Sequence, residues 1–335
     1  MYKKYSKGRY MKRKLTDKNF IIILVVVISI CSCVTAYATN EYLYDSNDVR
    51  YDNSISGIES TNVQGAIDEL YTDFSDYSFI KDLTIDNANF HNSIFRGEDV
   101  TDYYDDGTLW TRISSGEFTD LYLGDYIYKN NTYWRIAGFD IYLGKGDSTD
   151  TSLNQTYNTH HVVIVPDGRL TTAKMNSTNT TEGGYVASNM YTAILPNVLT
   201  TYINPVFSGH ILSYRNLLTN ATDTTRYNRY GTNNGASSNW AWYTRQLDLM
   251  NENQVTGSIE WSSSGYETGS DNIQFPLFAL RPEYVIARDN SGGRQTYWLR
   301  NVATSSNFAY VHNTGHSSFS GASTSFGVRP YFYID

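Results

Sequence analysis

Apolar residues follow three rhythms along the chain. The first is unbroken. Phe20-Ile-Ile-Ile-Leu-Val-Val-Val-Ile-Ser-Ile-Cys-Ser-Cys-Val34 carries no charge and follows a stretch rich in lysine and arginine. Ala36-Tyr37-Ala38 comes next, the small-x-small pattern of a signal peptidase site. These features predict a signal peptide or a signal anchor over residues 1–38. The 15 residues Phe20–Val34 reach about 22 Å as a helix, short of the roughly 30 Å hydrocarbon core of a bilayer; an extension to Ala38 just spans it. The basic flank would hold the N-terminus inside and place the remainder outside.

The second rhythm is helical. Val63, Ile67, Leu70, Tyr71 and Phe74 share one helical face, and Thr61 and Gln64 have capping-box spacing. A helix of about three turns is marginal alone. Its stripe therefore either docks on its own domain or drives self-association through residues 61–76. Met190, Ile194, Leu195, Val198, Leu199, Tyr202 and Ile203 keep the same spacing. Pro196 predicts a break with a second helix starting near it, and Pro205 an end. Asn251-Glu-Asn-Gln254 has capping-box spacing for one turn before Gly257.

The third rhythm is that of strands. Leu121–Tyr128 and Tyr133–Tyr142 read as a hairpin around Asn130-Asn131. His161-Val-Val-Ile-Val165 reads as a buried strand stopped by Pro166-Asp-Gly. Residues 245–250 alternate, and further short strands are expected at Thr296–Arg300, Asn307–Val311 and Phe326–Ile334, separated by Ser, Gly and Asn turns. The organisation that follows is residues 1–38 as address, 39–119 as a linker with a short helix near 61–76 and a small β segment, and 120–335 as one loop-rich α+β domain.

Charge divides at the same place. The chain has 26 basic and 34 acidic residues; residues 1–38 hold eight of the basic ones and a single acid, Asp17. The other 297 residues keep 18 basic and 33 acidic groups, a net of −15. A body this acidic repels phosphate backbones, so nucleic acid is not an expected partner. Both cysteines, Cys31 and Cys33, lie in the address, so the body has no disulfide, thiol nucleophile or cysteine-ligated zinc.

Several stretches carry a resemblance. Tyr297-Trp-Leu-Arg300, a Ser/Gly/Asn stretch, Gly321-Ala-Ser and Gly327-Val-Arg-Pro330 lead into a terminal aromatic strand. Upstream stand Tyr133-Trp-Arg-Ile136, Leu249-Met-Asn-Glu252, Trp261-Ser-Ser-Ser264 and Gln274-Phe-Pro-Leu-Phe278. Over residues 120–335 this pattern resembles the C-type-lectin-like domains of Gram-positive bacterial and phage surface proteins, distantly like the formylglycine-generating enzyme fold and the variable proteins of diversity-generating retroelements. Asn62–Leu70 resembles a module found ahead of such domains. The cysteines on which formylglycine-generating activity relies are missing from the body, and the Glu-Pro-Asn, Gln-Pro-Asp and Trp-Asn-Asp motifs of calcium-dependent sugar binding do not occur.

Candidate chemistry is sparse. There is no His-Glu-x-x-His, Gly-x-Ser-x-Gly or phosphate loop. Adjacent His160 and His161 would face opposite sides of a strand and could not chelate one metal. Asp102, Asp105 and Asp106, and Asp147 with Asp150, are carboxylate clusters that a glycan hydrolase could use as a flanking pair, and calcium at Asp147 and Asp150 would lack a full loop of oxygen ligands. No cofactor is expected. Thirty tyrosines and six tryptophans suit a recognition surface. Trp134, Trp261 and Trp298 are expected in the core and Arg329 as a buried structural residue. The resemblance places the ligand face at Tyr310, His312, Asn313, His316 and Phe319; if these loops bind, Tyr310→Ala and His316→Ala are expected to weaken binding with thermal stability near wild type. The expected function is that of an exported, membrane-anchored or secreted surface protein, not an enzyme, that binds an extracellular protein or glycan through these loop aromatics and amides. A virion or adhesion protein of a phage on the same fold and a secreted glycan hydrolase are the alternatives.

Overall fold

The computed structural model describes residues 25–30, 48–52, 54, 58–75, 87–145, 158–221, 240–261 and 273–335. The chain forms two units, Met1–Thr84 and Ile85–Asp335. Residues 25–30 are helical. Among the described residues no helix is long and apolar enough to cross a membrane; the rest of the apolar run, both cysteines and the cleavage triplet lie outside them.

In the first unit the helix Val63–Ser75 forms where the apolar spacing places it. Its cap differs from the expected one. Asn62, not Thr61, accepts the Gly65 N–H at 2.7 Å, and Gln64 instead bonds Asp68 on the next turn. Glu69 reaches back to the Glu59 and Ser60 amides at 2.7 and 2.9 Å, fixing the entering chain. Ala66 is buried within the unit, whereas Ile67 and Leu70 are 53% and 45% exposed.

The second unit is mixed α+β, with several sheets and few helices. The strands in its described residues are β1 (Tyr126–Lys129), β2 (Thr132–Phe139), β3 (Val162–Pro166), β4 (Thr171–Lys174), β5 (Tyr214–Thr219), β6 (Trp240–Arg245), β7 (Leu247–Leu249), β8 (Ala287–Arg288), β9 (Arg294–Gln295), β10 (Tyr297–Val302), β11 (Asn307–Val311), β12 (Ser317–Gly321), β13 (Ser325–Val328) and β14 (Pro330–Ile334). They form one five-stranded sheet in the order β1-β2-β3-β14-β7, a second in the order β12-β11-β10-β13-β4, and the pairs β5-β6 and β8-β9. The β1–β2 hairpin turns on Asn130 and Asn131, whose φ values of 50° and 58° suit a two-residue turn matched to strand twist.

The first sheet is buried on both faces, which is why β3 and β14 are continuously apolar. Trp134, Ile136, Val162, Ile164, Phe332 and Ile334 enter one core; Val163, Val165, Tyr331 and Tyr333 enter the other. The first core is closed by the helical run 190–207 and by segment 87–123, which contributes Leu109, Ile113, Phe118 and Leu121. Residues 87–119 thus pack into this unit, although the sequence reading gives them to the linker: their apolar residues come in pairs too short to carry a period. The 190–207 run does not break at Pro196. π turns (Met190–Ile194, Leu199–Ile203) alternate with α turns (Leu195–Val198, Asn204–Phe207), and Leu195 keeps helical angles of −63° and −42°. The wider π turn accommodates a residue with no N–H to donate.

Where β5, β6 and β7 meet, the core is polar. Asp248, fully buried, accepts hydrogen bonds from Arg245 Nε at 3.0 Å, Asn216 Nδ2 at 3.0 Å and the Tyr185 hydroxyl at 3.2 Å. The Arg245 guanidinium lies 3.8 Å from the Tyr191 ring centroid. Burial works against the Arg245 charge, but Asp248 and the surrounding tyrosine hydroxyls outweigh it and raise its pKa.

Candidate functional site

The resemblance points to β11, β12 and the turn between them. In this hairpin Ala309 pairs with Phe319, Tyr310 with Ser318 and Val311 with Ser317. Paired residues share a face and neighbours alternate, so Phe319 and Tyr310 stand on opposite faces. Tyr310 is half-buried, edge-on to Trp298 at 6.2 Å and tilted against Phe326 at 4.6 Å. It packs on the first core and does not join a surface patch.

Phe319 is 37% exposed and lies 4.7 Å from the half-buried Trp261. The position of Trp261 follows from local chemistry. Asn251 caps the helix Glu252–Thr256 in a complete capping box with Gln254, and Gly257 ends it at φ 76°. Glu252, fully buried at the first helical position, then gathers the following loop: its carboxylate accepts from Trp261 N at 3.1 Å and from the Ser317 hydroxyl at 2.9 Å. Its own amide donates to Asn301 Oδ1 at 2.7 Å. The aromatic pair is therefore mounted on a buried, hydrogen-bonded frame that joins the loop, β10 and β12.

At the hairpin turn the His312 and His316 rings stack with centroids 4.7 Å apart. Their Nδ1 atoms lie 2.9 and 2.8 Å from the Thr314 hydroxyl. A hydroxyl has one proton to give, so at least one of the two imidazoles donates to it. Gly315, at φ 96°, closes the turn, and Asn313 N donates to Thr296 Oγ1 at 3.2 Å. The structure thus brings His312, Asn313 and His316 together, places Phe319 farther along the same hairpin beside Trp261, and sets Tyr310 on the other face.

The other candidates are tied into the scaffold. His160 Nδ1 bonds Asp140 Oδ2 at 2.6 Å, and the His161 amide donates to the other Asp140 oxygen at 2.8 Å. Asp105 pairs with Lys129 at 2.6 Å, and Asp106 accepts from the Thr108 amide at 2.8 Å just ahead of the helix Thr108–Ser114, whose N-cap is Gly107. Arg329 is fully buried and donates to the carbonyls of Pro166 and Tyr284 at 2.8 and 3.1 Å. Asp147 and Asp150 lie outside the described residues. Among the described residues no group of three or more His, Cys, Asp or Glu side chains could hold a metal ion.

Sequence reasoning missed Glu252, Ser317 and Asn301 as parts of this site, and it expected Trp261 in the core, against which that ring packs only in part. A glutamate at a first helical turn looks like an ordinary dipole partner, and only the fold brings Ser317 to it across 65 positions. The capping box itself was the legible signal. Comparison of the chain with protein-family models, with curated proteins and with solved structures finds no match.

Proposed function

We propose that this is an exported surface-binding protein whose C-terminal unit is a C-type-lectin-like recognition domain for an extracellular protein or glycan. The observation that carries the reading is the Trp261–Phe319 pair, accessible on one side and held by the buried Glu252 frame. Rigid aromatic rings offer a flat surface to a sugar face or an apolar side chain at small entropic cost, and the amides and imidazoles of the adjacent turn supply polar contacts. The basic and apolar N-terminal segment supports export and membrane attachment. The run of motifs ending in an aromatic strand supports the domain family, and the burial of that strand between β3 and β7 is compatible with it. The engagement of Asp105 and Asp106 with Lys129 and Thr108 favours binding over hydrolysis.

The full chain in detergent micelles, applied to glycan and protein arrays, is expected to retain a defined set of ligands without turning any over. Product formation abolished by a single Asp→Asn change would replace this reading with the hydrolase one. Ile67 and Leu70 on the first unit's helix are the proposed self-association face. Ile67→Asp is expected to lower the sedimenting mass of the full chain in micelles, and an unchanged mass would remove that part of the proposal.

A further inference from the structure

A second surface feature carries an inference independent of the aromatic pair. A cleft of about 360 Å³ opens between the tips of the β1–β2 and β8–β9 hairpins. Arg169 and Arg288 line it, together with Tyr133, Thr132, Asn290 and Ser291. Its volume falls at the small end of ligand sites, large enough for about one sugar ring.

Charge is the unusual property here. The body carries a net of −15, yet none of the described acids forms an ion pair with Arg169, Arg288 or Arg294, the cross-strand partner of Arg288. The nearest acids are engaged elsewhere. Asp167 is held two-pronged by Arg135, with bonds of 2.6 and 2.5 Å. Asp289, which also lines the cleft, turns its carboxylate into its own hairpin and accepts from Ser291 N, Ser291 Oγ and Gly293 N at 3.0, 2.6 and 2.8 Å. Two arginines therefore line the cleft beside one carboxylate whose Oδ1 is turned into its own hairpin, and Arg288 Nη1 donates to the Gly292 carbonyl at 3.3 Å within that hairpin.

The frame is preorganised. Asn290 Nδ2 ties the two hairpin tips by donating to Asn131 O and Oδ1 at 2.9 and 3.0 Å. Arg169 N donates to Gln295 Oε1 at 2.8 Å, and Arg288 N to Asp167 O at 3.0 Å. Between them the chain passes so close that a Cβ on Gly168 would lie 2.5 Å from the Arg288 carbonyl oxygen, so only glycine fits. Each arginine thus leaves from a fixed backbone position, which limits the entropy lost when it grips a ligand.

We infer that this cleft binds an anionic saccharide, its carboxylate or phosphate held by Arg169 and Arg288 and its ring hydroxyls by the amides and hydroxyls of Thr132, Asn290 and Ser291. Guanidinium groups match carboxylate and phosphate in a two-pronged geometry, and the polar lining suits a polyol better than an apolar chain.

The test uses the full chain in micelles at millimolar sugar, followed by saturation-transfer NMR. Three probes differ at one carbon: D-glucuronic acid, D-glucose 6-phosphate and neutral D-glucose. Binding of either anionic sugar, with glucose at least about tenfold weaker, is expected; which anion binds tells carboxylated from phosphorylated ligands. Arg169→Gln and Arg288→Gln should each weaken binding by about tenfold while the melting temperature stays unchanged, because neither side chain is in the core. Phe319→Ala should leave this binding intact, so the cleft and the aromatic pair fail separately. Equal binding of glucose, no binding of either anion, or binding indifferent to both arginine changes would overturn the inference.

Discussion

Asp248→Ala is expected to cost about 3–5 kcal/mol of folding stability, the largest single loss predicted for this chain. Asp248 is fully buried, and Arg245 beside it has a side chain only 12% exposed. Their ion pair was desolvated on folding, and it is repaid only while both charges and the surrounding donors are present. Removing the carboxylate leaves a buried guanidinium with no counter-charge and deprives the Tyr185 hydroxyl and Asn216 amide of their acceptor. Urea unfolding of wild type and variant measures the loss. A double change, Asp248→Ala with Arg245→Ala, should cost far less than the sum of the two single changes, because the second removes the charge that the first strands. A loss under about 1 kcal/mol in Asp248→Ala would mean that the pair is solvated in the folded protein.

The second large effect is alkaline instability. Burial pushes the Tyr185 and Tyr214 hydroxyls well above their ordinary range, with Asp248 adding to the shift at Tyr185 and Tyr331 and Asp248 adding to it at Tyr214. Tyr297 is raised by burial against the opposing charge of Arg329. Below pH of about 10 both folded and unfolded chains keep these protons, and stability is fully present. Above it the unfolded chain releases them and the folded chain retains them, so stability falls as pH rises. Tyr185 and Tyr214 together set a slope of about 2.7 kcal/mol per pH unit, to which Tyr297 adds near the start of the decline. Urea midpoints taken from pH 9 to 11.5 should drop along this line. Tyr214→Phe removes one of these two protons, so it should reduce the slope by about half; its hydroxyl bonds Tyr331 and lies 3.5 Å from Asp248, so the change should also cost about 1 kcal/mol near neutral pH. A flat profile to pH 11.5, or an unaltered slope in Tyr214→Phe, would contradict the buried placement of these rings.

Much of the fold was legible because local chemistry and tertiary burial agree. Asn130-Asn131 dictate a two-residue turn, the apolar run before Pro166 dictates a strand buried on both faces, and Asn251 with Gln254 dictates a capped helical turn; each forms. At Pro196 the expected new α segment does start, with the proline in its first turn, but the chain reaches it without a break because a π turn precedes it. The helix cap moved by one residue because Asn62 and Thr61 are both good caps and only the chain path chooses between them. The five proposed ligand residues lie on one hairpin but not on one face. A strand alternates, so Tyr310 and Phe319 cannot share a face in the register that β11 and β12 adopt. The Trp261–Phe319 meeting and the cleft lined by Arg169 and Arg288 both depend on residues brought together from distant parts of the chain, which no local pattern encodes.

The central claim, recognition through the aromatic pair, is tested most directly by array binding of the full chain in micelles as wild type, Phe319→Ala and Tyr310→Ala, with melting temperatures measured alongside. Phe319→Ala is expected to lose at least about tenfold in affinity for the retained ligands at an unchanged melting temperature, since an exposed ring that binds carries about 1–3 kcal/mol of interaction and little of the core. Tyr310→Ala should instead lower the melting temperature, because it removes a ring packed on Trp298 and Phe326. Retention of the same ligands at wild-type affinity by a folded Phe319→Ala protein would contradict the account.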